Sequence, residues 1–177
     1  MQVHEYFEKL YFYEFTRKSE IEASITSRFS VLIALLGALF FVFREYYSGI
    51  NVYNISRLDV FFVVSFLASL VLISVSVAYH ISAVYSVHYS FIPDSNALLS
   101  YRRELIDYHK QNGRSNPEKK ANLDFCDYLT NSYAEAASRN GEKNLMKSAR
   151  RHKSLQFLVF SFFPVSFCVG IYVLQAK

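Results

Sequence analysis

Three long runs without Asp, Glu, Lys or Arg dominate the hydrophobic pattern of this 177-residue chain. They cover residues 29–43, 60–93 and 154–176. A helix of about 20 apolar residues crosses the hydrocarbon core of a bilayer. The pattern therefore predicts an all-α integral membrane protein with three transmembrane helices and a polar, cytoplasmic helical hairpin between the second and the third.

The three spans are predicted at residues 27–47, 60–81 and 154–176. The charge-free core of the first is only 15 residues long, so Arg28 and Arg44 are expected to reach toward opposite interfaces. The second run is about 50 Å long as a helix, against a hydrocarbon core of about 30 Å. Its last part is therefore predicted to leave the membrane as a helical stalk that ends at Pro93. Pro164 is expected to kink the third span.

Residues 4–28 place aromatic side chains at helical spacing without Gly or Pro, which predicts one continuous helix, either an interfacial anchor or a sensor. Residues 94–153 carry most of the charge and predict the hairpin. Gly113 is a natural end for its first helix, and Asn116–Pro117 a natural start for its second. A break is expected at Asn140–Gly141, before a last helix that runs into the third span. These expectations divide the chain into three segments, 1–93, 94–153 and 154–177.

The distribution of Lys and Arg predicts the orientation. Residues 94–153 hold twelve of the nineteen, whereas the loop between the first two spans is flanked by only Arg44 and Arg57. Because cytoplasmic loops carry an excess of Lys and Arg, the N-terminus and residues 94–153 are predicted to be cytoplasmic. Three spans then place the C-terminus on the other side.

Small and polar residues follow one face of each of the first two spans. The face of the first consists of Ser30, Ala34, Gly37 and Ala38. Its spacing allows close helix packing in lipid, within one chain or between chains. The face of the second consists of Ser65, Ser69, Ser76 and His80, which lie within about 60° of each other on a helical wheel. Such a stripe must face protein or water, so it either lines a pore or packs against the other spans.

Three cations next to the third span, Arg150, Arg151 and Lys153, are expected to contact anionic lipid head groups. Direct binding of nucleic acid is the less favoured interpretation of this cluster. The five histidines are too far apart in sequence to suggest a shared metal ion. There is no Gly-rich phosphate loop, no Cys-x-x-Cys and no Gly-x-Ser-x-Gly, which argues against an enzyme. No cofactor or metal is expected.

Short motifs complete the pattern. Residues 11–18 have the sequence Tyr-Phe-Tyr-Glu-Phe-Thr-Arg-Lys, residues 133–137 have Tyr-Ala-Glu-Ala-Ala, and Asn140 and Asn144 follow. With an aromatic N-terminal helix, two close spans and a helical cytoplasmic region, the chain resembles the SLATT-type membrane proteins of bacterial anti-phage defence loci. The third span departs from the simpler two-span pattern.

The resemblance implies an effector that oligomerises in the bacterial inner membrane, permeabilises it and stops the growth of an infected cell. Its partners would be membrane lipids, further copies of itself and a soluble protein of the same defence system, and its C-terminus would be periplasmic. The alternative is a non-enzymatic membrane anchor or sensor subunit that docks a soluble partner through residues 94–153.

Overall fold

The computed structural model describes residues 3–49, 56–85 and 88–175, and of these the side chains of residues 25–28 and 49 are left out. The described chain is all-helical. Its four helices are α1 (Val3–Gly49), α2 (Arg57–Tyr85), α3 (Ser95–Gln111) and α4 (Pro117–Gln175). Helices α1, α2 and α4 are each long and apolar enough to cross a membrane. Arg28, which was predicted to reach toward a membrane interface, has a side chain outside the described residues. Most of the first loop also lies outside them.

Helix ends follow the local sequence. Helix α1 is continuous over 47 residues, which confirms the single N-terminal helix predicted for residues 4–28. Asp94 caps α3 by accepting a hydrogen bond from the Ala97 amide at 2.9 Å, as an N-cap aspartate does. Gly113 and Asn116 have φ values of 62° and 57°, the left-handed conformation that Gly and Asn tolerate best. Together they turn the chain into Pro117.

The predicted break at Asn140–Gly141 was wrong, because α4 continues through both residues for 59 residues in total. The Asn140 side chain does not compete for the backbone of its own helix. Its amide instead donates to the Ser90 carbonyl at 2.9 Å and accepts from the Ser90 amide at 2.8 Å. Tertiary hydrogen bonds therefore remove the local reason for a helix to end here.

The helical stalk was also predicted wrongly over residues 88–93, since the described part of α2 ends at Tyr85. Residues 88–94 are not helical. The Asn140 amide satisfies both backbone groups of Ser90, and the Tyr89 hydroxyl donates to Asn144 Oδ1 at 2.6 Å. Backbone groups that a helix would pair internally thus find partners on α4.

The chain forms two compact units. The insert unit comprises residues 1–20 and 88–145, and the span unit comprises residues 21–87 and 146–177. Their boundaries differ from the three segments expected from the sequence, because α1 and α4 each contribute to both units.

The core of the span unit is built from α1, α2 and α4. Its buried residues are Leu32, Leu35, Leu39, Val42, Tyr46, Phe62, Phe66, Ile73, Leu158, Val165, Cys168 and Ile171. On α1 they are separated alternately by three and four residues, the spacing of helices that pack side by side as in a coiled coil. Large apolar side chains outside this core, such as Phe41, Phe61, Phe163 and Phe167, are exposed. They form the surface that lipid would cover.

The insert unit has a smaller core, in which Tyr11, Ala136 and Ala137 are buried. Leu10, Phe15, Ile92 and Tyr133 pack against these three. Helix α3 contacts the first turns of α4 through the rings of Tyr101 and Tyr128, whose centroids are 4.6 Å apart.

Candidate functional site

Polar residues repeat every seven positions along the buried face of α4. The repeat consists of Lys147, Ser154, Ser161, Cys168 and Gln175. The first four are 2%, 6%, 0% and 0% exposed. Because seven residues make almost two full turns, all five lie on the same side of the helix. Polar groups therefore follow the inner face of α4 along the whole span unit.

Helix α2 presents a matching face. Ser69, Ser76 and His80 are buried, and Ser65 is half-buried. The Ser76 hydroxyl donates to the Ser154 carbonyl at 2.8 Å, and the Ser154 hydroxyl donates to the Ser76 carbonyl at 2.9 Å. The two helices are thus joined by a reciprocal pair of hydrogen bonds. We name the buried set the polar seam: Ser69, Ser76 and His80 of α2 with Lys147, Ser154, Ser161 and Cys168 of α4.

The other seam hydroxyls bond to carbonyls of their own helices. Ser69 donates to the Ser65 carbonyl at 2.8 Å, and Ser161 donates to the Leu158 carbonyl at 2.6 Å. Small side chains satisfied in this way let neighbouring helices approach closely in lipid. In a single chain, the predicted stripe contacts α4 at Ser76, whereas the His80 ring stacks on Phe29 of α1 with centroids 5.6 Å apart. A pore along the seam requires α2 and α4 to separate.

A partly buried ion pair lies at one end of the seam. The Lys147 ammonium is 2.8 Å from the Glu22 carboxylate of α1. The side chain of Lys147 is 2% exposed, whereas that of Glu22 is 45% exposed. A buried ammonium is stable only with hydrogen-bonded partners. The pair therefore ties α4 to α1 where the seam begins.

Two of the predicted lipid-binding cations reinforce this connection. Arg150 donates to the Ser82 carbonyl of α2 at 2.8 Å, and Arg151 donates to the Ser24 hydroxyl of α1 at 2.7 Å. Lys147, Arg150 and Arg151 thus reach both neighbouring helices from about one turn of α4. We name these three residues the cation latch.

Lys153 lies in a different environment from the latch. It is exposed, and its ammonium lies 5.6 Å from the centre of the Tyr79 ring. That ring stacks on Phe157 with centroids 5.7 Å apart. A cation over an aromatic pair is typical of side chains at a membrane interface.

The Asp59 carboxylate lies at the opposite end of the span unit and accepts hydrogen bonds there. The Tyr46 hydroxyl of α1 donates to Asp59 of α2 at 2.5 Å. The Gln175 amide of α4 approaches the same oxygen at 3.4 Å, and the Ser56 amide donates to the other oxygen at 2.6 Å. Side chains from all three helices therefore converge on Asp59.

The small face of the first span is left open in the single chain. Ser30, Ala34, Gly37 and Ala38 are all exposed. Among the described residues, nothing lies within 4 Å of the position that a Cβ would take at Gly37. This face is therefore available to lipid or to another chain.

In the insert unit, the structure brings together the motifs that carry the resemblance. Asn144, which is fully buried, donates to both the carbonyl and the carboxylate of Glu14 at 2.8 Å. Tyr11 packs its ring on that of Tyr133 with centroids 5.4 Å apart. Burial, and then the negative charge of Glu8, raise the pKa of Tyr133. The motifs of α1 and α4 thus form one contact set.

Gly141 offers a test of this contact. A Cβ at Gly141 would lie 3.5 Å from the Glu14 carboxyl group, an ordinary van der Waals distance. Gly141→Ala is therefore expected to stabilise the insert unit by about 0.5–1 kcal/mol, the difference in helix propensity. Gly113→Ala is the matched control with the opposite expected sign, because its φ is 62° and alanine is strained there. Thermal unfolding of the full chain in lipid nanodiscs measures both, and a destabilising Gly141→Ala would contradict the contact.

The polar faces of single helices do not by themselves predict the seam or the latch, because both depend on contacts between helices. The signal that locates them is the seven-residue polar repeat of α4, which contacts the stripe predicted on α2 at Ser76. Among the described residues, no group of three or more His, Cys, Asp or Glu side chains could hold a metal ion.

Comparison with known proteins gives no match: no family model, no curated protein and no solved structure is significantly similar to this chain.

Proposed function

We propose that this chain is a non-enzymatic effector of bacterial defence that oligomerises in the inner membrane and permeabilises it. In this proposal, the N-terminus and residues 94–153 are cytoplasmic and the C-terminus is periplasmic. The polar seam is the observation that carries the proposal. Polar and ionisable groups inside a membrane are costly, and they commonly mark a pathway for ions or water. In an anchor, the same small residues would serve only for helix packing.

The open face of the first span supports the oligomeric part of the proposal. Lipid tails are as apolar as the helices, so helix association in a membrane depends on close packing through small residues. Ser30, Ala34, Gly37 and Ala38 provide such a surface and are exposed in the single chain. A second copy of the chain is the occupant that we propose for this face, and anionic head groups are the lipid partner that we propose for Lys153.

The proposal is tested by expressing the chain from a tightly controlled promoter in bacteria. A potential-sensitive dye should report depolarisation, and an impermeant DNA stain should enter the cells. Ala34→Ile with Ala38→Ile is expected to abolish both effects and to reduce the cross-linked oligomer to monomer, because bulky side chains keep the backbones apart.

The matched control is Ala68→Ile with Ala78→Ile. It adds the same volume at exposed positions of α2 and should leave both effects intact. Expression of the unaltered chain without any depolarisation would refute the proposed effector. If both double variants lost depolarisation and stain entry equally, the proposed role of the small face of the first span in oligomerisation would be refuted.

A second function, an anchor or sensor subunit that docks a soluble partner, is favoured by one feature of the insert unit. Phe91 is 69% exposed and lies beside a groove lined by residues of the 90–93 segment and of α4. An exposed aromatic side chain beside a groove is a common protein-binding arrangement. A stable one-to-one complex with a soluble protein, at expression levels that leave the membrane potential unchanged, would select this function.

A further inference from the structure

We propose that the polar seam is the conducting path, and that it opens when α4 separates from α2. The inference rests on the proposed function and adds to it the route through the membrane and the contact that keeps the route closed. The closed state is the structure described above, in which Ser69, Ser76, Ser161 and Cys168 are 0% exposed.

The packing of the span unit indicates which helix moves. Helices α1 and α2 are joined by large aromatic contacts: the ring centroids of Tyr46 and Phe62 are 3.6 Å apart, and those of Phe43 and Phe66 are 4.3 Å apart. Helices α2 and α4 share the wider Tyr79–Phe157 stack, with centroids 5.7 Å apart, and along the seam they meet through the small side chains of Ser76 and Ser154. Because dispersion energy grows with the number of contacting atoms, and interhelical hydrogen bonds contribute little in a membrane, α4 is the helix that separates most easily from α2.

The separated state has to be filled with water. The Ser76 and Ser154 hydroxyls lose their partners when the helices separate, and unpaired polar groups that face hydrocarbon chains are costly. On α4, the 22 residues from Ser154 to Gln175 extend over about 32 Å, close to the thickness of the hydrocarbon core. The repeat of α4 is therefore long enough to provide a polar wall across the whole membrane, and several copies around one axis would enclose a pore.

The cation latch is the contact that keeps the seam closed. It ties α4 to Glu22 and Ser24 of α1 and to the Ser82 carbonyl of α2. Lys147 belongs both to the latch and to the seven-residue repeat. Once the latch releases, its ammonium lies at the mouth of the path, where it would favour the passage of anions.

The test is a disulfide across the seam in otherwise full-length protein. The Ser76 and Ser154 hydroxyl oxygens are 3.1 Å apart, so cysteines at both positions are close enough to be joined. The variant is Ser76→Cys with Ser154→Cys in a Cys126→Ala background, in which the native Cys168 lies about 21 Å along α4 from position 154, too far to be joined to it. It is reconstituted into phosphatidylethanolamine–phosphatidylglycerol liposomes loaded with carboxyfluorescein, an anionic dye.

Liposomes with the reduced protein are expected to release the dye. Liposomes with the oxidised protein are expected to release no more dye than dye-loaded liposomes without protein. Reduction with dithiothreitol should restore release, and the background protein should release dye under both conditions. Release that is the same from the oxidised and reduced variant would overturn the seam as the path, while leaving the proposed function in place. A background protein that never releases dye would contradict the proposed function itself.

A second measurement covers the case in which the double-cysteine variant does not fold. Ser161→Cys is a conservative change within the seam, and Phe163→Cys lies on the exposed apolar surface. In permeabilised liposomes, a charged water-soluble thiol reagent is expected to label Cys at position 161 and not at position 163. Absence of labelling at 161 while dye is released would also overturn the inference.

Discussion

Replacing Asn144 by leucine is expected to destabilise the insert unit by about 3 kcal/mol. The amide donates to the Glu14 carbonyl and to the Glu14 carboxylate, and such bonds contribute about 1 kcal/mol and roughly 1.5–3 kcal/mol, respectively. Both residues are buried, at 0% and 6% exposed, so water cannot replace the lost donor. The Arg17 guanidinium, 3.7 Å from the carboxylate, compensates only in part. Leucine has the same number and branching of side-chain heavy atoms as asparagine, but its methyl groups are bulkier, so overpacking at this buried site adds to the loss of polar contacts.

Hydrogen exchange of the full chain in lipid nanodiscs measures this effect. Amides of residues 3–20 are expected to exchange roughly a hundredfold faster in Asn144→Leu, since about 1.4 kcal/mol corresponds to a factor of ten. Asn131→Leu is the matched control, because it makes the same change at an exposed position of α4. Equal exchange in the two variants would show that the contact between Asn144 and Glu14 does not stabilise the insert unit.

Glu22→Gln is expected to destabilise the span unit, whereas Lys147→Met is expected to be nearly neutral. The first change leaves a lysine that is 2% exposed without its carboxylate at 2.8 Å, and breaking a buried pair from one side costs about 3–5 kcal/mol. Glu22 is 45% exposed, so its charge is partly screened. We therefore expect Glu22→Gln to lower the free energy of unfolding by about 2 kcal/mol. The second change replaces the ammonium by an apolar side chain of similar length, which buried sites often tolerate.

The measurement is thermal unfolding of the full chain in nanodiscs. A loss of about 2 kcal/mol corresponds to a Tm lower by roughly 5 °C for a chain of this size. Glu20→Gln, at an exposed position of α1, should leave Tm unchanged. The charge swap Glu22→Lys with Lys147→Glu should recover most of the loss. A swap variant no more stable than Glu22→Gln would indicate that pairing between these two positions is not what stabilises the unit.

Local sequence rules predicted helix ends well where no tertiary contact intervened. Asp94, Gly113 and Pro117 bound helices where capping chemistry places them. The same rules failed for Asn140–Gly141 and for residues 88–93. In both cases the cause is Asn140, whose amide bonds the backbone of Ser90 and thereby changes both segments at once. A hydrogen bond across 50 positions leaves no trace in local patterns.

The candidate site divides in a similar way. Ser69, Ser76 and His80 could be singled out on α2, because polar residues in a charge-free run are conspicuous. Their partners on α4 needed the seven-residue repeat and a continuous helix. The small face of the first span was equally visible in the sequence, but nothing in its spacing could tell that the chain leaves it exposed. Similarly, the charges of Arg150 and Arg151 predicted lipid contact, whereas the structure gives both of them partners within the protein.

The sequence by itself determined three long apolar helices, because a bilayer accepts only segments that are long, apolar and internally hydrogen-bonded. Only the tertiary structure decided which faces of those helices meet. That choice depends on the simultaneous fit of side chains more than a hundred positions apart, such as Glu22 with Lys147. It places the polar residues of α2 and α4 against each other and leaves the small residues of α1 exposed.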